Sequence, residues 1–296
     1  MEPQVILCTL VLNEMEWLPR LYTQHREWPG LLRWVFVESA DEVFQTTNPE
    51  LVKDGLSVDG TTDFLYQLAR SDPRVIHIPY GISRHPKEKS QNKCAARQQY
   101  LEVAEKLEPD LLVVLDADEF YSRECQCRVV ESYQYSNSHN YGFIYKQRHL
   151  WRPPSISDRP LFEYEVEGGY WIIPHIRGWR WEPGLRYEKN HNWPQDSNGV
   201  TLNYKGRVYR TDYNPNGPQC CHLGYSSSLP YRQAKHLYYK NRGEGVVGDA
   251  KRTKYVECRQ AWEDWRPGGI LPHGASIVSY GGPVPEVFKN QRGSRK

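Results

Sequence analysis

The sequence predicts an α/β fold, a mostly parallel central sheet flanked by helices, followed by an irregular, aromatic-rich half. Two observations predict it. Between residues 5 and 121, short apolar runs alternate with amphipathic stretches at the spacing of parallel β-α-β units. Three of those runs also lead into carboxylates, Glu14, Glu38 and Asp116, at the sheet edge where open α/β folds bind ligands.

Residues 5–12 form a first buried strand ending at Asn13-Glu14, with Asn13 placed to cap a helix that carries Trp17, Leu18, Leu21 and Tyr22. Residues 32–37 make the second strand, which ends at Glu38-Ser39-Ala40-Asp41. Asp59-Gly60-Thr61-Thr62 opens a helix through Leu65, Leu68 and Ala69, and residues 74–78 are a third strand. A polar piece over 81–90 leads to a helix over 91–107.

Next comes Leu111-Leu112-Val113-Val114-Leu115, apolar throughout and β-branched at its centre, as in a strand buried on both faces. It stops at three carboxylates, Asp116, Asp118 and Glu119. In extended geometry Asp116 and Asp118 point to the same side of the backbone. Carboxylates held that close repel one another unless a cation lies between them. Mn²⁺ or Mg²⁺ fits, being oxygen-seeking and usually held by one or two carboxylates plus substrate phosphates. An acidic strand end that only faces water or caps the next helix is the plainer alternative.

The second half loses the alternation. Residues 141–146 read as a strand, continuing the sheet antiparallel; Pro- and Trp-rich loops follow to residue 209, and a helix with Pro230 in its first turn spans 230–242. No internal repeat or long linker divides the chain, so residues 1–296 read as one domain.

Composition narrows the function classes. Hydrophobic content of 39% and charged content of 25% are those of a soluble globular protein. No apolar run approaches the ~20 residues of a membrane span, and Met1-Glu2-Pro3-Gln4 does not read as a secretion signal, so a cytoplasmic protein is expected. A formal charge of +2 does not by itself mark a nucleic-acid binder, and the basic residues 289–296 read as a solvated tail. Seven cysteines without a secretion signal imply free thiols, and Cys125-Gln126-Cys127 and Cys220-Cys221-His222 lack structural-zinc spacing. The G-x-G-x-x-G and P-loop patterns are absent, which leaves metal-bridged phosphate binding. The 10 Trp and 21 Tyr, against 7 Phe, suit either a groove that stacks flat ligands or half-buried loop anchors.

Taken in order, five features resemble the GT-A glycosyltransferases, closest to family-2-type enzymes. They are Val11-Leu12-Asn13-Glu14 with Leu18 after the first strand; a carboxylate after the second; Lys93 and Arg97 before the last; Asp116-Ala117-Asp118-Glu119; and His222-Leu223-Gly224-Tyr225 ahead of a basic, tyrosine-rich helix. The resemblance is firm over 4–121, patchy over 141–209, and returns at 221–243. It implies a GT-A sheet whose first half, 1–121, binds a nucleotide sugar, while 122–296 binds the acceptor and carries the C-terminal helices. It further implies a UDP-sugar donor, with its diphosphate on a metal held by Asp118, Asp116 and His222. Asn13, Glu14, Glu38 and Asp116 would line the nucleoside side, with Lys93 and Arg97 near the diphosphate.

The pattern departs from the family in two places. The second strand ends in Glu38-Ser39-Ala40-Asp41, not Asp-Asp or Asp-Gly-Ser, so the base-reading carboxylate is open. The acceptor half lacks the usual His-Glu pair; in 187–193 Glu188 and His191 are the candidate catalytic bases, with His191 slightly favoured. The resemblance implies sugar transfer, with inversion expected, to a glycan, a lipid or a hydroxymethylated DNA base. Nucleotide-sugar nucleotidyl transfer and non-catalytic sugar binding are the alternatives. Each singled-out residue also has a plain reading: Lys93, Arg97, Arg232, Lys235 and Lys240 as solvated charge, His222 as a hydrogen-bonded histidine, and Trp179, Trp181 and Trp193 as packing instead of an acceptor platform.

Overall fold

The structure, a computed structural model, describes residues 2–88, 91–134, 142–144, 147–149, 162–166, 177–202, 210–211, 220–222, 275–279 and 287. In chain order the elements of the first half are β1 (Val5–Val11), α1 (Leu18–His25), β2 (Leu31–Asp41), α2 (Glu42–Thr47), β3 (Val52–Lys53), β4 (Leu56–Ser57), α3 (Thr61–Ser71), β5 (Val75–Ser83), α4 (Lys93–Leu107), β6 (Leu111–Val114), β7 (Glu119–Tyr121) and α5 (Arg123–Gln134). The second half adds β8 (Gly142–Ile144), β9 (Gln147–His149), β10 (Phe162–Val166), β11 (Gly178–Arg180), β12 (Arg210–Thr211), β13 (Cys220–His222) and β14 (Ala275–Ser279).

The central sheet has the order β12-β8-β11-β6-β1-β2-β5. β6, β1, β2 and β5 run parallel, with Cys8 registered between Val35 and Val114. The strands are apolar without alternation because both faces are covered. Val5, Leu7 and Val11 pack into a core with Trp17, Leu21, Leu65 and Val129, and Ile6 and Cys8 into a second core with Cys94, Ala96, Tyr100 and Leu101 of α4. Trp34 is fully buried, and its indole N–H donates to the Thr9 hydroxyl at 2.9 Å, so its polar atom is not stranded.

Three expectations change. Asn13 does not cap α1: its φ of +54° is left-handed, and Trp17 takes the cap position, with Pro19 in the first turn. Residues 52–57 form an unforeseen hairpin whose Asp54-Gly55 tip has φ of +55° and +81°, the conformation that a two-residue hairpin turn demands. Gly55 is also obligatory on space, since a Cβ there would lie 2.2 Å from the Gly81 carbonyl carbon. Finally, the antiparallel strand beside β6 is β11, not the strand near 141–146. That strand, β8, pairs antiparallel with β11 and so returns to the direction of β6. The expected strand is thus present and antiparallel to its neighbour, while the insertion of β11 between it and β6 was not foreseen, since length and apolarity give no information on pairing. The expected helix over 230–242 and the basic tail lie outside the described residues. No helix among the described residues is long and apolar enough to cross a membrane.

Below the acidic turn, His25 fastens α1 to β7. Its Nε2 accepts the Tyr121 backbone N–H at 3.0 Å, so Nδ1 carries the proton and donates to the Leu21 carbonyl at 2.9 Å. A second proton would face the Tyr121 N–H in a fully buried site, and burial lowers the imidazole to about 3. Since the folded value lies below the ordinary 6.5, the unfolded chain binds the proton more readily between these limits. Stability is therefore full above pH 6.5 and falls as pH drops, by about 1.4 kcal/mol per unit from this group. Denaturant unfolding between pH 7.5 and 5.5 should show a loss of about 1.4 kcal/mol over the whole interval, the full slope being reached only below it, and His25→Gln should flatten this loss while lowering stability throughout.

Candidate active site

β6 ends at Val114, and the chain then turns, with the Glu119 N–H donating to the Asp116 carbonyl at 3.0 Å. The turn ends the two-residue alternation of the strand. The expected same-side pairing of Asp116 and Asp118 is therefore replaced by separate partners. Asp116 turns to two guanidiniums: Arg97 Nη2 lies 3.5 Å from Oδ1 and Arg177 Nη2 lies 2.8 Å from Oδ2. Both arginines are buried, at 6% and 8% side-chain exposure. Arg177 also pairs with Glu119, whose other oxygen accepts the Asp116 backbone N–H at 3.1 Å.

One shared cation between two carboxylates separates their acidities. Burial alone would raise the Asp116 carboxyl, but Arg177, Arg97, Lys93 and His222 together hold it well below the ordinary range. Burial pushes Glu119 up, Arg177 pulls it back, and the charges of Asp116 and Asp118 push it up again, leaving it above the ordinary range.

Asp118 meets His222 instead, with Oδ1 and Nε2 3.6 Å apart and both side chains mostly buried, at 9% and 16% exposure. The sheet arranges this pairing: β13 runs antiparallel to β7 and places His222 opposite Glu119. Two ligands about 2.1 Å from one ion stand about 3 Å apart at a right angle, so a small closing motion lets this carboxylate and imidazole share a divalent ion. The donor set of oxygen and imidazole nitrogen suits Mn²⁺ or Mg²⁺ completed by phosphate oxygens and water. Of the three expected ligands, the structure thus brings Asp118 and His222 together and draws Asp116 to the arginines.

The expected nucleoside residues are knitted into the scaffold. Asn13 Nδ2 donates to the Leu51 carbonyl at 2.7 Å, and its Oδ1 accepts the Val58 N–H at 3.0 Å, which ties β1 to the hairpin. Glu14 starts α1 through its carbonyl, which accepts from Trp17 and Leu18, while its own N–H donates to the Thr61 hydroxyl at 2.9 Å. Glu38 is fully buried and accepts from the Ser57 N–H (2.9 Å), the Thr62 hydroxyl (2.6 Å) and His77 Nε2 (2.9 Å). Burial raises its carboxyl, and these donors more than reverse the effect, leaving it lowered.

The loop carrying the candidate bases docks on α4 and the segment before it. Gln98 accepts the Tyr187 N–H at 2.8 Å, and His85 Nε2 donates to the Glu188 carbonyl at 3.0 Å. Gln91 Oε1 accepts the His191 backbone N–H at 2.9 Å and faces His191 Nδ1 at 3.0 Å, so Nδ1 bears the proton and the lone pair is on Nε2. The exposed Glu188 carboxylate pairs with Arg186 at 3.2 Å. Trp179 and Trp181 are buried in the core under α4, with Trp193 packed against it, so these rings brace the sheet.

No protein-family model matches the sequence, and no curated protein does either. Among solved structures the likenesses are distant. Staphylococcus aureus TarS 1–349 is 11% identical with a TM-score of 0.43, covering 88% of this chain and 71% of that one. GalNAc-T7 with UDP, GalNAc and Mn²⁺ is 10% identical with a TM-score of 0.41, over 92% and 52%. Mannosyltransferase PcManGT from Pyrobaculum calidifontis, in complex with GDP-Man and Mn²⁺, is 13% identical with a TM-score of 0.43, over 88% and 72%. Likenesses this distant accompany the reading of the site and carry none of it.

Sequence reasoning missed Arg177. Its backbone carbonyl accepts the Val114 N–H at 2.7 Å, so the start of β11 delivers its side chain to the end of β6. The only trace in the sequence is the short run Arg177-Gly178-Trp179-Arg180, which could not be matched to β6 without the pairing. Cys125, Cys220 and Cys221 are buried free thiols, and burial raises Cys220 further, as expected of packing cysteines.

Proposed function

We propose that the chain is a metal-dependent glycosyltransferase that moves a sugar from a nucleotide-diphosphate sugar, most simply a UDP-sugar, to an acceptor hydroxyl. The supporting observation is the Asp118–His222 pair at the end of β6, beside the positive charge of Arg97 and Lys93. When bound there, Mn²⁺ or Mg²⁺ supplies Lewis-acid neutralisation of the departing diphosphate. Asp118 and His222 would hold the ion. Lys93 and Arg97, both acting on Asp116, would offset the negative charge that grows as the glycosyl bond breaks. Asn13, Glu14 and Glu38 act on the nucleoside side by fixing the shape of the β1, β2 and hairpin edges.

For inversion, a base takes the acceptor proton as its oxygen attacks the anomeric carbon. His191 fits this role through the lone pair on Nε2, and Glu188 is the second candidate. The acceptor hydroxyl belongs to a glycan, a lipid or a hydroxymethylated DNA base, and salt-sensitive DNA binding would single out the last.

A panel of nucleotide sugars assayed with Mn²⁺ for hydrolysis and transfer tests the proposal. Turnover of at least one donor is expected, and none over the whole panel would refute it. His191→Ala should lower transfer by about 10²–10⁴-fold while leaving donor binding intact; an unchanged rate would move the role to Glu188.

A further inference from the structure

We propose that Arg177 is a positioning residue, a built-in cation that holds Asp116 and Glu119 and leaves Asp118 and His222 as the protein's metal ligands. The inference rests on the metal-dependent reading above and narrows its ligand set.

The argument is geometric. Both Asp116 oxygens face buried guanidiniums, Oδ2 at 2.8 Å from Arg177 and Oδ1 at 3.5 Å from Arg97. Arg177 reaches Glu119 with the same Nη2 that reaches Asp116, so one cation spans the first and last carboxylates of the turn. A divalent ion on Asp116, whose side chain is 30% exposed, would sit beside two positive charges that repel it. Asp118, the middle carboxylate, lies against His222 instead.

The arrangement also explains how three carboxylates within four residues fold before any metal arrives. Arg177 offsets the crowding, and it reaches the turn from β11, a strand remote in sequence. Among the described residues its Nε has no hydrogen-bond partner, and the contacts that place it are those to the two carboxylates and the pairing of β11. Swapping this cation for a neutral group should convert Asp116 and Glu119 into cation ligands.

The test is Mn²⁺ binding to the purified protein, read by the loss of the free-ion electron paramagnetic resonance signal, with and without UDP. Arg177→Gln should bind Mn²⁺ alone on the order of tenfold more tightly than the parent, the scale on which one adjacent charge acts. Adding Asp116→Asn should cancel the gain, and Arg177→Lys should restore parental binding. In the parent, Asp116→Asn should leave Mn²⁺ affinity with UDP within about threefold, whereas Asp118→Asn should abolish it.

The inference is overturned if Arg177→Gln binds Mn²⁺ no more tightly than the parent, or if Asp116→Asn costs as much as Asp118→Asn. Should Arg177→Gln fail to fold, the comparison of Asp116→Asn with Asp118→Asn decides alone, since both keep Arg177. A parent that takes up no Mn²⁺ even with UDP refutes the proposed function. The Arg177→Gln gain and its cancellation by Asp116→Asn would still decide the role of Arg177.

Discussion

Under the proposed function, sugar transfer should fall by on the order of 100-fold or more in Asp118→Ala, and dependence on Mn²⁺ should be lost with it. Asp118 is the carboxylate that lies against His222, so its removal leaves the imidazole as the only one of the pair able to hold the ion. The fold should not suffer. Removing Asp118 relieves one repulsion on Glu119 and gives up the His222 contact, so the variant should melt near the parental temperature. Loss of activity without loss of stability separates a ligand from a structural carboxylate. His222→Ala should act in the same direction with a smaller loss, since water can replace the imidazole. Steady-state rates over a Mn²⁺ titration, with a melting curve for each variant, check both expectations. Parental activity in Asp118→Ala would refute the metal role.

Glu38→Ala should have the largest effect on stability, a loss of about 3–5 kcal/mol. The fully buried carboxylate accepts from three donors on three segments, at Ser57, Thr62 and His77. Its removal strands all three in a dry site. The hairpin, the first turn of α3 and β5 would then lose their common tie at the edge of β2. Glu38→Gln keeps the shape and one acceptor, and should cost about 1–3 kcal/mol. Denaturant unfolding at neutral pH measures both. If Glu38 instead read the base directly, Glu38→Gln would raise the donor KM with unfolding unchanged, so the two roles give opposite patterns.

The parallel sheet was legible because its strands are buried on both faces. The mostly apolar runs at residues 5–12 and 32–37, broken only by Thr9 and Arg33, and the unbroken run at 111–115 carry that signal. Asp118 and His222 were legible from the end of a buried strand and from the late histidine of the family pattern. What escaped depends on long-range pairing. Arg177 acquires meaning only when β11 lies antiparallel to β6, and Glu38 becomes a scaffold hub only when the hairpin folds over it. The Asp116–Asp118 relation escaped for a local reason. The strand ends two residues before the first aspartate, so strand alternation no longer holds where the chemistry starts.

The most direct test of the central claim is thermal unfolding with UDP and Mn²⁺, each alone and both together, on the parent and on Asp118→Asn. A ligand bound only by the folded state raises its stability by about 2.7 kcal/mol at a hundredfold excess over Kd. The expected result is a clear rise in melting temperature with both ligands, little with either alone, and none with both in Asp118→Asn. An equal rise with UDP alone, retained in Asp118→Asn, would contradict the account.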